Sequence, residues 1–114
     1  MFNPDEFWTL AVSLMEQADP SEAQCRTAAG RAYYAFFLTV RERLRMSDIS
    51  TGEVHGRVLS ELRRRGRLNM AMALGSLRRL RDTADYSIAA VFTADMVRQA
   101  MQRWNGEYRQ AQRL

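Results

Sequence analysis

The sequence predicts an all-α protein, folded as an up-and-down bundle of about five helices. Three observations indicate this class. Apolar side chains recur at helical spacing through most of the 114 residues, no long stretch alternates like a surface strand, and there are only two prolines and six glycines. Hydrophobic residues make up 46% of the chain and charged residues 26%, as in ordinary folded domains. We therefore expect one domain over residues 1–114.

The first two helices are predicted from similar start patterns. Asn3 precedes Pro4 and lies three residues before Glu6, which is typical of a helix amino terminus. The same pattern begins again at Asp19, so we expect a tight corner there. The second helix is predicted to run from about residue 20 to 45.

The second helix is the most apolar segment of the chain. Residues 32–38 read AYYAFFL, which is apolar or aromatic on all sides. Such a helix is expected to be buried on more than one face. It is therefore either central to the bundle or shared with a second subunit, and we predict a homodimer with Tyr33, Tyr34 and Phe37 at its interface.

Three further helices are predicted after a loop at residues 47–53. The third ends near Gly66, the fourth covers about residues 68–86, and the fifth begins near Thr93, a residue type that caps helices. The apolar connection at residues 87–92 is too short to form a sheet.

Positive charge is concentrated in the middle of the chain, and all of it is arginine. The net charge is +4, but residues 1–25 carry five acids and no base, whereas residues 57–81 carry eight arginines and one glutamate. The absence of lysine excludes Schiff-base and phosphate-loop lysine chemistry. The basic centre favours one surface that attracts anions, or a surface that aids solubility or meets an acidic partner.

Several classes of site are excluded or disfavoured. Cys25 is the only cysteine and His55 the only histidine, so an intrachain disulfide and a site with several thiolate or imidazole ligands are excluded. We expect no metal and no cofactor. No segment approaches the length of a membrane span, and the acidic amino terminus does not resemble a secretory signal. A cytoplasmic location without membrane contact is expected.

Two places have the residue types for catalysis. His55 is the side chain that ordinarily titrates near neutral pH, and it is either a general base or a structural histidine near a helix start. The fourth helix places Arg81 and Asp85 four residues apart beside Tyr86, and Arg78–Asp82 has the same spacing. These pairs are either surface ion pairs or guanidinium groups held in place for a phosphate.

A run of arginines ends the third helix. Arg63, Arg64, Arg65 and Arg67 can contact a phosphate backbone, and Arg78 is a further candidate for nucleic-acid binding. No aromatic residue is interleaved with the run, so stacking on single-stranded bases gains no support from it. A solvated basic helix end is the alternative.

Three segments together resemble the HEPN family of small helical domains. Residues 26–38, RTAAGRAYYAFFL, resemble that family's long second helix, and Val54-His55-Gly56 resembles the start of its next helix. Residues 77–86, LRRLRDTADY, are similar to a segment of one branch, "L-x-x-x-R-x-x-A-D-Y". The resemblance extends over roughly residues 7–110.

The resemblance implies a helical bundle that pairs as a homodimer. It also implies a metal-independent ribonuclease of a prokaryotic toxin–antitoxin or defence system, with a nucleotidyltransferase-type antitoxin as partner. The family's catalytic motif is an arginine followed a few residues later by a histidine. Here no histidine follows Arg81, so only Asp85, Tyr86 or His55 remain as catalytic partners for it.

Three functions follow from these patterns. The first is a dimeric module that binds RNA, a nucleotide or a partner protein, with its ribonuclease motif degenerate. The second is an active endoribonuclease, and the third is a structural subunit of a larger assembly. Carboxylates and phenols ordinarily titrate far from neutrality, so we expect little or no ribonuclease activity.

Overall fold

The computed structural model describes residues 1–48 and 52–114. All regular secondary structure in these ranges is helical, which confirms the predicted all-α class and helical bundle. The predicted loop at 47–53 includes residues 49–51, which lie outside the described residues. The five helices of the described ranges are α1 Asp5–Met15, α2 Glu22–Arg43, α3 Val54–Arg64, α4 Leu68–Tyr86 and α5 Ala94–Ala111.

Side-chain caps define where α2 and α5 begin. Ser21 Oγ accepts a hydrogen bond from the Gln24 N–H at 3.1 Å, and Gln24 Oε1 accepts one from the Ser21 N–H at 2.8 Å. Ser21 therefore caps α2, two residues after the repeated start pattern begins at Asp19. It forms a complete capping box with Gln24. Thr93 caps α5 as predicted, by accepting a hydrogen bond from the Met96 N–H at 3.4 Å.

The central position of α2 is confirmed, because it contacts each of the other four helices. Its neighbours leave Tyr33 only 2% exposed and Phe37 only 6% exposed. These two side chains are covered inside their own chain, and Tyr34 is partly buried. The homodimer with Tyr33, Tyr34 and Phe37 at its interface stays a prediction.

Two arginines hold helix ends and connections in place. The Arg26 guanidinium donates to the carbonyl oxygens of Ala84 at 2.9 Å, Ser87 at 3.2 Å and Ala90 at 3.1 Å. It therefore joins α2 to the end of α4 and to the connection that follows. Arg98 acts similarly at the end of α1, where it donates to the Met15 carbonyl oxygen at 2.9 Å. Both arginines serve the fold.

The chain ends are joined through α1 and α5. The Trp8 and Tyr108 rings stack with their centroids 4.1 Å apart, and the Tyr108 hydroxyl donates to Asp5 Oδ1 at 2.6 Å. None of the helices in the described ranges has the length and apolar character needed to cross a membrane.

Candidate functional site

His55 lies at the start of α3, where it packs against α2. It is 7% exposed, and its Nδ1 lies 2.9 Å from the hydroxyl oxygen of Tyr33. Burial and the nearby Arg78 cation lower the pKa of His55 to about 4, because both disfavour the imidazolium. Burial likewise raises the pKa of Tyr33 to about 12. Both side chains are therefore neutral at pH 7.

Arg81 of α4 contacts the same tyrosine. Its guanidinium carbon lies 5.1 Å from the centre of the Tyr33 ring and 5.3 Å from that of Tyr34. It donates to the Tyr34 hydroxyl at 3.3 Å, and its side chain is only 13% exposed. Its Nε is buried and has no hydrogen-bond partner in the described part of the chain. The structure therefore brings both Arg81 and His55 into contact with Tyr33, although they are far apart in sequence.

The acidic partners of Arg81 differ in part from the predicted pairs. Arg81 lies 3.1 Å from Asp82 and 3.8 Å from Asp85, so the predicted Arg81–Asp85 pair is confirmed. The predicted Arg78–Asp82 pair does not form, because Asp82 turns to the guanidinium next to it in sequence. Asp85 is on the surface and Tyr86 is 75% exposed.

This arrangement limits the acid–base chemistry that the cluster supports. A general base must lie within hydrogen-bond reach of the proton that it removes. His55 is neutral but buried, and its Nδ1 is hydrogen-bonded to Tyr33. Asp85 and Tyr86 are accessible but lie outside the buried contact between His55 and Tyr33. The predicted catalytic residues are thus divided between the interior and the surface.

The arginine run at the end of α3 is exposed, as expected of a binding surface. Glu61 pairs with Arg64 and Arg65, and its hydrogen bonds to them lower its pKa to about 2. Arg63 and Arg67 are exposed and have no ion pair within residues 1–48 and 52–114. Within the run, Arg64 and Arg65 are therefore held by the Glu61 carboxylate, whereas Arg63 and Arg67 are available to bind another anion.

Arg63 also borders a groove that the sequence did not reveal. Arg79 of α4 and Arg103 and Trp104 of α5 line the same groove. These residues lie on three helices and share no local spacing, so no pattern in the sequence joins them. Between residues 1–48 and 52–114 there is no cluster of three or more histidine, cysteine, aspartate or glutamate side chains that would hold a metal ion.

The fold and this surface define an all-helical bundle with a basic groove. The chain is similar to an uncharacterized protein of Methanocaldococcus jannaschii, with 34% identity over an alignment of 110 residues. The alignment covers 77% of this chain and 62% of the relative, so the chain spans less than two thirds of the relative's length. No protein-family profile matches the chain. No solved structure matches it.

Proposed function

We propose that this chain is an RNA-binding helical module whose ribonuclease motif is incomplete. The observation that carries the proposal is the set of exposed arginines on α3, on α4 and in the turn between them that have no carboxylate partner in the described ranges, which includes Arg63, Arg67 and Arg79. Guanidinium groups without an internal partner are available to phosphate, and their planar donors fit it well. Arg64 and Arg65 differ from them, because both are paired with Glu61.

The cellular setting is proposed from the HEPN resemblance alone. It consists of a cytoplasmic homodimer in a prokaryotic toxin–antitoxin or defence system, with a nucleotidyltransferase-type partner. Because Tyr33 and Phe37 are buried within the chain, the apolar surface left for a second copy lies elsewhere. The largest exposed apolar side chains near the end of α4 are those of Tyr86, Ile88 and Val91.

An active endoribonuclease is the second candidate. The observation that favours it is the convergence of Arg81 and His55 on Tyr33. A guanidinium that stabilises a phosphorane beside an imidazole that moves a proton would have the required chemistry. Its weakness is access, since His55 is 7% exposed and its Nδ1 is hydrogen-bonded to Tyr33.

Measuring RNA affinity against salt tests the proposal. A labelled single-stranded RNA should bind the protein, with log affinity falling linearly as log salt rises. The Arg63→Gln/Arg67→Gln double variant should bind at least tenfold more weakly in low salt, and its salt slope should be shallower by about 1.4, since each phosphate contact to a single strand contributes about 0.7. The matched control is Arg43→Gln/Arg113→Gln, which removes two exposed arginines from other parts of the surface.

Two results would overturn the proposal. One is the absence of RNA binding even at low salt, which would favour a structural subunit. The other is equal weakening by both double variants, which would show that total charge rather than this surface attracts RNA.

A further inference from the structure

A groove between α3, α4 and α5 lies beside the unpaired arginines Arg63 and Arg79. It has a volume of about 590 Å³, within the range of roughly 300–1,000 Å³ typical of ligand sites. Small residues of α4, Gly75 and Ser76, line part of it, which leaves room between the longer side chains. Its other lining residues include Arg63, Arg79, Arg103, Trp104 and Met72.

The charge of the groove has one sign. Arg63, Arg79 and Arg103 come from three different helices, and none has a carboxylate partner in the parts of the chain that are described. Among residues 1–48 and 52–114, no acidic side chain lines the groove. Three cations that converge without an anion repel each other, and a phosphate-bearing ligand relieves this repulsion.

The groove also offers an apolar and aromatic surface. The Arg103 guanidinium carbon lies 4.8 Å from the centre of the Trp104 ring, so the two planes form a cation–aromatic platform. Met72 is 59% exposed, as is Leu68 next to it in the groove. An acidic peptide would use the cations alone, whereas a nucleotide uses the cations for its phosphate and the platform for its base.

We propose that this groove binds a single-stranded RNA segment. One base stacks on the platform of Arg103 and Trp104, and the flanking phosphates contact Arg63 and Arg79. Bases in a duplex are stacked on their neighbours and do not reach such a platform, so single strands are preferred. The inference rests on the proposed RNA-binding function and adds the site and the form of the RNA.

Ser76 allows the charge of the groove to be changed without removing any of its arginines or its aromatic ring. Ser76→Glu places a carboxylate among the three guanidinium groups, and Ser76→Gln fills the same space with a neutral side chain. We expect Ser76→Glu to weaken binding of a ten-nucleotide single-stranded RNA at least tenfold, and at least threefold more than Ser76→Gln does, because only the glutamate adds a negative charge.

Trp104 supplies a second, independent readout. Stacking of a base should quench its fluorescence, and Trp8, which is buried against Tyr108, should not respond. Trp104→Ala should lose this quenching and weaken single-strand binding about tenfold, with a smaller effect on a duplex of the same sequence. Phe2→Ala is the control, because it removes an exposed aromatic ring at the amino terminus. Circular dichroism checks that each variant is folded.

The outcomes separate the inference from the function on which it rests. If wild-type protein binds RNA and Ser76→Glu binds it equally well, RNA contacts another surface and this inference is wrong. If wild-type protein binds no RNA, the proposed RNA-binding function is wrong, and the inference that rests on it is wrong as well. Equal affinity for single strands and duplex, or displacement of RNA by polyglutamate at similar concentration, would overturn the stacking site in favour of a purely electrostatic surface.

Discussion

The hydroxyl oxygen of Tyr33 and Nδ1 of His55 lie 2.9 Å apart, in a buried hydrogen bond that joins α2 to α3. The His55 ring also packs on Phe37, with ring centroids 6.0 Å apart. The packing of α3 against α2 therefore depends on the His55 side chain, whose charge changes with pH.

The first prediction is a loss of stability in mild acid. The pKa of His55 is about 4 in the folded chain, below the value of about 6.5 for an unfolded one. The unfolded state thus binds the proton first, so stability is full above pH 6.5 and falls as the pH drops from 6.5 to 4. We expect a loss of about 2–3 kcal/mol, measured by urea unfolding at pH 7.5, 5.5 and 4.5.

His55→Gln separates this effect from that of the carboxylates. The variant should be less stable at pH 7.5 but should lose little further stability between pH 6.5 and 5. Glu61 contributes to the pH dependence of stability at lower pH, because its pKa of about 2 lies below the ordinary glutamate value. Its stabilising contribution is lost as the pH falls from about 4.5 to 2. An unchanged pH dependence in His55→Gln would contradict the assignment.

The second prediction concerns Phe37. Because it is buried within the chain, Phe37→Ala should destabilise the fold by about 3–5 kcal/mol, even at protein concentrations where any dimer has dissociated. Urea unfolding at two concentrations a hundredfold apart, combined with sedimentation, makes the measurement. If Phe37→Ala only dissociates a dimer and leaves the unfolding midpoint of the monomer unchanged, its side chain lies at an interface after all.

The third prediction concerns Arg26. Arg26→Gln should cost about 2–4 kcal/mol of stability, because the carbonyl oxygens of Ala84 and Ala90 lose a charged donor. Hydrogen exchange should rise first in the connection at residues 87–92. Arg113→Gln, on the exposed carboxyl-terminal segment, should stay within about 0.5 kcal/mol, and equal losses in the two variants would refute the role given to Arg26.

The fourth prediction concerns catalysis. Purified protein should cleave a mixed RNA pool in EDTA slowly or not at all, since His55 is buried and its Nδ1 is hydrogen-bonded to Tyr33. The assay includes His55→Ala and Arg81→Ala. Cleavage by the wild type that both substitutions abolish would show that the two side chains act together, and would make the endoribonuclease the better interpretation.

The local sequence pattern was sufficient to predict the helices, but it was not sufficient to predict the contacts between them. Apolar spacing predicted each helix, because burial of one stripe recurs with the helical period. The start pattern did not identify the cap of α2, because Asp19 and Ser21 both have capping side chains and each has a glutamate or glutamine three residues later. Residues 32–38 showed how apolar α2 is, but the number of helices that cover it depends on packing over the whole chain.

The candidate site shows the same limit. The arginine run was visible because its members are neighbours in sequence, yet its pairing with Glu61 depends on side-chain geometry. Arg81 and His55 meet at Tyr33 through the packing of three helices, so their separation in sequence gave no sign of it. The groove residues Arg79 and Arg103 come together for the same reason.

The positive charge of the groove is carried by guanidinium groups alone. Arginine keeps its charge across the whole physiological pH range, so acid that destabilises the fold through His55 leaves the charge of the groove unchanged. Acetylation removes charge from a basic surface at lysine, and the sequence contains none. Arginine methylation would keep the charge and block only the paired donors. Covalent modification of these side chains would therefore change the hydrogen bonds that they donate to a phosphate. The long-range electrostatic attraction of the groove for anions would stay the same.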